Sequence, residues 1–204
     1  LLLVEDNYLN QELAVELLRQ AGARVTVAQH GQEALALLAQ QSFDCVLMDG
    51  QMPVMDGYEA TRLIRAQPQF ADLPIIAMTA NAMDSDRERA LAAGMNAQIN
   101  KPFQVQELYS IIAQHVSVHS VQALALTPEV HDLDKAQLKQ GLPLVEELDI
   151  DVGLALCNYN ADLYRHLLTL FVQTGAKLLQ NQQNEFLQDD LSALRLSLHT
   201  LKGV

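Results

Sequence analysis

The chain has 204 residues, half of them hydrophobic and 19% charged, with a formal net charge of −12. That is an ordinary globular composition, long enough for one good core and a second, smaller one. Both halves, divided near residue 116, are acidic, and no basic stripe is present to neutralise phosphates, which argues against direct nucleic-acid binding.

The start, Leu1-Leu2-Leu3-Val4-Glu5, has no basic n-region and no cleavage site, so it reads as a strand rather than a signal peptide. Further strands are expected at Val25–Ala28, Cys45–Met48, Ile75–Met78 and around Ala97–Ile99. Between them the apolar spacing predicts helices, the first carrying Leu13, Leu17 and Leu18 and the second Ala34, Leu37 and Leu38. Helices also fit Glu59–Arg65, Asp86–Ala93 and Val105–His115, with Gly22 and Gly94 as stop signals after the first and fourth. Short strands alternating with helices imply right-handed crossovers and a parallel sheet covered on both faces. Five strands in this span predict an α/β, flavodoxin-like doubly wound domain.

From about Val116 to Glu147 the periodicity fades, and Pro128, Gly141 and Pro143 mark a linker with a helical piece around Lys135–Lys139. Beyond it the pattern is all-α. A short helix covers Val152–Leu156, and Asn160 is placed to cap a long one from Ala161 towards Phe186. Gln188, Asp189 and Asp190 open a last helix whose Leu187, Leu191, Leu194, Leu198 and Leu201 form an apolar stripe. This gives a partial helical bundle. Three segments follow: 1–115, a linker at 116–147 and a helical domain at 148–204. With no initiator Met, and a helical pattern that runs to Val204, the chain is expected to be a piece of a longer protein, its second domain incomplete. No apolar run reaches the ~18 residues of a membrane span. Cys45 and Cys157 have no metal spacing and read as buried thiols in a reducing compartment.

Four of the predicted strands run into polar residues, Glu5-Asp6, Asp49, Thr79-Ala80 and Lys101-Pro102, with the Met52–Gly57 loop as a fifth stretch beside them. The carboxyl ends of parallel strands are where such sheets place their sites. Three clustered carboxylates repel, so at least one should have a raised pKa unless a hard cation joins them. Mg²⁺ suits a site of few carboxylates, a backbone carbonyl and waters. Asp6 and Asp49 are the expected ligands, with the carbonyl of Gln51 as a third and Glu5 a partner through water. Asp49 would be the nucleophile towards phosphorus, Lys101 a fixed positive charge, and Thr79 a hydrogen-bond partner for a phosphoryl oxygen. Pro102 is a candidate cis proline that aims Lys101 inward. Taken singly each residue reads as a cap, a turn or a surface lysine; the order and spacing of all five stretches carry the signal.

Leu2-Leu3-Val4-Glu5-Asp6-Asn7, Leu47-Met48-Asp49-Gly50-Gln51-Met52-Pro53-Val54-Met55-Asp56-Gly57, Met78-Thr79-Ala80 and Asn100-Lys101-Pro102-Phe103 resemble the signatures of response-regulator receiver domains. The resemblance covers residues 1–115 and implies Mg²⁺ dependence and phosphorylation of Asp49 by a phosphohistidine. Two positions depart from it. Gln98 stands where receivers often carry Tyr or Phe, and Gly50 where the usual residue is larger and apolar. An aromatic switch coupled to Thr79 is therefore not expected here.

His199 lies at the edge of the last leucine stripe, and Arg195, Lys202 and Gly203 stand at −4, +3 and +4 from it on the same side. Two cations could steady a phosphoryl group on the imidazole, and Gly203, at a cost of roughly 1 kcal/mol in helix propensity, removes a side chain from its path. His199-Thr200-Leu201-Lys202-Gly203 resembles the motif of histidine-phosphotransfer domains, and the helices from Ile150 onward resemble that family's opening helices. A sensor-kinase dimerisation helix would have an acidic residue and then a proline after the histidine; neither is present. Together the resemblances imply the tail of a hybrid sensor histidine kinase. Its upstream kinase domain would phosphorylate Asp49, Asp49 would pass the group to His199, and His199 would serve a downstream response regulator. They also imply a cytoplasmic segment whose parent is anchored in a bacterial inner membrane. A stand-alone regulator whose helical tail binds a partner is the alternative. An aspartyl-phosphate hydrolase would need a second Asp two residues after its nucleophile near the first strand, whereas Asp6 precedes Asn7 and Tyr8.

Overall fold

The computed structural model describes residues 1–79, 84–102, 104–116 and 149–187, with backbone alone at 84–85 and 175–187. Its first part alternates β1 (Leu2–Val4), α1 (Tyr8–Gln20), β2 (Thr26–Ala28), α2 (Gly31–Gln40), β3 (Val46–Asp49), α3 (Gly57–Arg65), β4 (Ile75–Thr79), α4 (Asp84–Ala93), β5 (Ala97–Asn100) and α5 (Val105–His115). All five strands are parallel in the order β2-β1-β3-β4-β5, the doubly wound sheet expected. Gly22 and Gly94 both take positive φ, +81° and +97°, as the helix stops require.

Alternation along each strand splits the core into two. Leu2, Val4, Val46, Met48, Ile75 and Ala77 face α2, α3 and α4. Leu3, Leu47, Ile76, Met78 and Ile99 face α1 and α5. Because both faces are covered, the strands read as unbroken apolar runs rather than as alternating ones. Helix α3 starts two residues earlier than the apolar spacing suggests. The Asp56 carboxylate accepts the Glu59 N–H at 2.7 Å and so caps the helix from before Gly57.

The later part is helical, with α6 (Ile150–Leu156) and α7 (Ala161–Leu187). Asn160 caps α7 as expected, its Oδ1 accepting from the N–H groups of Asp162 and Leu163 at 3.1 and 3.0 Å. Asp149 does the same for α6. Leu154, Cys157, Leu163 and Tyr164 form a small cluster that rests on Leu13 of α1, with His166 Nε2 3.6 Å from Glu12 Oε2. Leu187, predicted to begin the last leucine stripe, instead ends α7; the predicted linker helix and the rest of the stripe, with His199 and Lys202, lie outside the described residues.

Candidate functional site

Parallel register brings every strand's carboxyl end to one edge. Asp49 closes β3, Thr79 closes β4, Lys101 follows β5, and Glu5 and Asp6 follow β1. Oxygens of Glu5, Asp6 and Asp49 lie within 4.8 Å of one another. Glu5 and Asp49 are buried, while Asp6 is half-buried.

Lys101 joins two of the three. Its ammonium donates to Glu5 Oε2 at 2.5 Å and to Asp49 Oδ2 at 2.8 Å. The Lys101-Pro102 bond is cis, as anticipated. Burial alone would lower the Lys101 pKa, but the carboxylates of Glu5 and Asp49 more than offset it and hold it above its ordinary value. Glu5 fares differently. Burial pushes its carboxyl pKa up, and the Asp49 charge adds to that against the pull of Lys101. The asymmetry is one of numbers: the lysine faces two opposite charges, whereas Glu5 faces one attracting group and one repelling. The raised carboxylate pKa expected of the cluster is therefore found at Glu5.

Glu5 is also clamped locally. Its Oε1 accepts from the Asn7 N–H at 3.2 Å and from Asn10 Nδ2 at 3.1 Å, and its carbonyl accepts from Gln11 Nε2. Asn7 in turn caps α1 through Oδ1, at 2.9 Å from the Leu9 nitrogen. The sequence reading missed Asn10 and Gln11. Gln11 carried a usable signal, since it falls on the buried row of α1 with Ala14 and Leu18, where a polar side chain must find a partner.

The Met52–Gly57 loop is a tight return. Met55 N–H donates to the Pro53 carbonyl at 2.8 Å, a γ-turn whose central residue, Val54, has φ +69°. A β-branched residue in that region is strained, and strain of this kind concentrates at functional loops. The loop is tied to α2 by the Gly31 N–H on the Met55 carbonyl. It brings Gly57 so near the nucleophile's backbone that a Cβ there would stand 1.9 Å from the Asp49 carbonyl oxygen. Gly50, one of the two departures noted above, has its own reason: a Cβ on it would meet the Tyr58 hydroxyl at 2.8 Å. Gln51 lies two residues past Asp49, and its N–H donates to Asp49 Oδ1 at 3.2 Å.

Thr79 is buried at the adjacent strand end. Gln98 Nε2 donates to its Oγ1 at 2.8 Å and to Asn100 Oδ1 at 2.9 Å. The structure thus brings Glu5, Asp6, Asp49, Gln51, Thr79 and Lys101 together, and Gln98 joins them through Thr79.

The donor set fits a hard divalent cation. Its side chains offer carboxylate oxygens within 4.8 Å of one another, near the roughly 4 Å that two opposed ligands of one Mg²⁺ span. Glu5, already held by Lys101, Asn7 and Asn10, is the least available for direct ligation.

Comparisons with known proteins agree. The sensor protein GacS of Pseudomonas syringae pv. syringae is 32% identical over 206 residues, covering 99% of this chain and 22% of its own length. The signal transduction histidine-protein kinase BarA of Escherichia coli is 28% identical over 200 residues, covering 98% and 21%. The chain therefore spans about a fifth of the length of these relatives. Among solved structures, the receiver domain of a Pseudomonas aeruginosa sensor histidine kinase, which holds magnesium in its active-site cleft, is 48% identical with a TM-score of 0.53, over 56% of this chain and 93% of that one. A complex of the Saccharomyces cerevisiae histidine phosphotransfer protein Ypd1 with the receiver domain of its downstream regulator Ssk1 matches at 27% identity and a TM-score of 0.55, over 61% and 93%. Residues 1–113 match the family model of the response regulator receiver domain, and the chain belongs to that family.

Proposed function

We propose that this chain is a phosphorelay segment of a two-component system: a receiver at 1–115, a linker at 116–147 and a histidine-phosphotransfer domain within 148–204. The observation that carries the reading is Lys101 bridging Glu5 and Asp49 beside Asp6, a cluster with more negative than positive charge that suits a divalent cation and holds one carboxylate placed to react.

An Asp49 oxygen attacks the phosphorus of an upstream kinase's phosphohistidine. The P–N bond breaks, its electron pair leaves on the imidazole, and that ring takes up a proton. An acyl phosphate forms at Asp49. Lys101 follows the negative charge as it moves from the carboxylate onto the phosphoryl oxygens, and the Thr79 hydroxyl binds one of them. Mg²⁺, held by Asp6, Asp49 and the Gln51 carbonyl with Glu5 behind a water, would neutralise the charge that gathers around phosphorus. His199 then takes the group from Asp49, with Lys202 beside it, and delivers it to a downstream response regulator. The long relatives BarA and GacS, named as a histidine kinase and a sensor protein, support a parent that is a sensor kinase; a hybrid, membrane-anchored parent with this segment on its cytoplasmic side extends that reading.

The test is transfer of radiolabel from a phosphorylated kinase domain through the purified chain to a receiver. Wild type should carry both an acid-stable and an acid-labile label. His199→Gln should keep the first and lose onward transfer. Onward transfer by His199→Gln at the wild-type rate would refute the second step.

A further inference from the structure

Gln98 and Asn100 lie two residues apart on β5 and share one face of the sheet with Ala77 and Thr79 of β4, which they pair in register. Opposite Gln98 stands the small Ala77, and the amide reaches diagonally past it to the Thr79 hydroxyl. One amide nitrogen thereby serves two acceptors, Thr79 Oγ1 at 2.8 Å and Asn100 Oδ1 at 2.9 Å. A hydroxyl has one proton to give and lone pairs to fill. With an N–H donated into its oxygen, the Thr79 proton must point away from Gln98. Its contact with Asn100 is 3.4 Å, at the limit of a hydrogen bond, and is surrendered cheaply to a charged acceptor.

We infer that Gln98 is a positioning residue for phosphoryl transfer: its amide N–H directs the Thr79 hydroxyl proton towards the phosphoryl group on Asp49. This rests on the reading of Asp49 as phosphoacceptor. Gln98 touches no reacting atom. It acts through a hydrogen bond that an apolar side chain such as Phe or Met at this position could not make.

The experiment uses the full chain with Mg²⁺ and phosphoramidate, which gives its phosphoryl group to Asp49 as the P–N bond breaks and ammonia leaves. Rates of acyl-phosphate formation are measured for wild type, Gln98→Met, Gln98→Glu, Thr79→Ala and the Thr79→Ala double variants. Loss of one hydrogen bond that matters in the transition state should slow Gln98→Met about tenfold. Gln98→Glu, which accepts the threonine proton instead of donating, should be slower still. Both effects should vanish in the Thr79→Ala background, because coupled residues are not additive. Circular dichroism identifies any variant that fails to fold, and the other Gln98 variant then carries the cycle. Equal rates for Gln98→Met and wild type, or losses that persist with Thr79→Ala, would overturn the inference while leaving Asp49 as acceptor. No acyl phosphate on wild type would instead overturn the reading beneath it.

Discussion

The α/β unit and the helices after it are held by very different amounts of packing. In the first, five strands supply two apolar faces, and side chains such as Leu3, Leu47, Ile75, Ile76 and Ile99 are wholly buried. In the second, the described buried cluster is four residues, Leu154, Cys157, Leu163 and Tyr164, leaning on Leu13 of α1. Phe171 and Val172 of α7 are about half and two-thirds exposed. The polar contact onto α1, His166 Nε2 with Glu12 Oε2, is partly exposed and so adds little. Precise placement of reacting groups needs the rigid unit, and that unit carries the acidic cluster.

Core truncations break the comparison most directly. Leu47→Ala should cost about 3–5 kcal/mol, as for other fully buried leucines, and unfold the sheet and the site together. Leu154→Ala should destabilise the helical cluster while the main thermal transition stays within a few degrees. If the two variants shift that transition equally, the molecule is one cooperative unit and the contrast fails.

Next is Gly57→Ala. A methyl group 1.9 Å from the Asp49 carbonyl cannot be absorbed by a flexible side chain, so the loop must move. The expected loss is about 2–3 kcal/mol, with a larger fall in acyl-phosphate formation than the folded fraction explains. Proportional losses would reduce Gly57 to a packing role.

Glu5→Gln gives a smaller effect with a definite sign. The Glu5 carboxyl has its pKa raised above the ordinary 4.5, first by burial. Stability from such a group is full below its ordinary pKa and lost as pH rises through the higher folded value, because ionising it in place is costly. Glu5→Gln should therefore melt a few degrees above wild type at pH 7, an advantage that disappears at pH values below 4.5. A lower melting point at pH 7 would mean that pairing with Lys101 outweighs burial.

The mildest probe is thiol labelling. Burial pushes both Cys45 and Cys157 up to about 12, so neither should react quickly at pH 8 in the folded chain. Labelling then reports local opening, and Cys157 should be modified well before Cys45. The reverse order would make the helical segment the more stable part.

The five strands and the strand-end residues were legible for a shared reason. Strands buried on both sides leave unbroken apolar runs such as Cys45–Met48, and the first polar residue after each run is then conspicuous. Asn160 was legible as a cap because its signal is local. What escaped depends on neighbours far away in sequence. The lack of room for a side chain at Gly57 is set by the backbone of Asp49, and Gln98 finds its role only across the β4–β5 pair. Leu13 belongs to an apolar row whatever it touches, so nothing in its spacing marked it as the seat for α7. His199 and Lys202 were read from a local motif, and they fall outside the described residues.

The central claim is that this cluster makes Asp49 the acceptor. Borohydride reduction of an acyl phosphate converts the aspartate to homoserine, which mass spectrometry locates. After exposure to a phosphohistidine donor with Mg²⁺, the account predicts homoserine at position 49 in wild type and none in Asp49→Ala or without Mg²⁺. Homoserine at another aspartate, or equal labelling of Asp49→Ala, would contradict it.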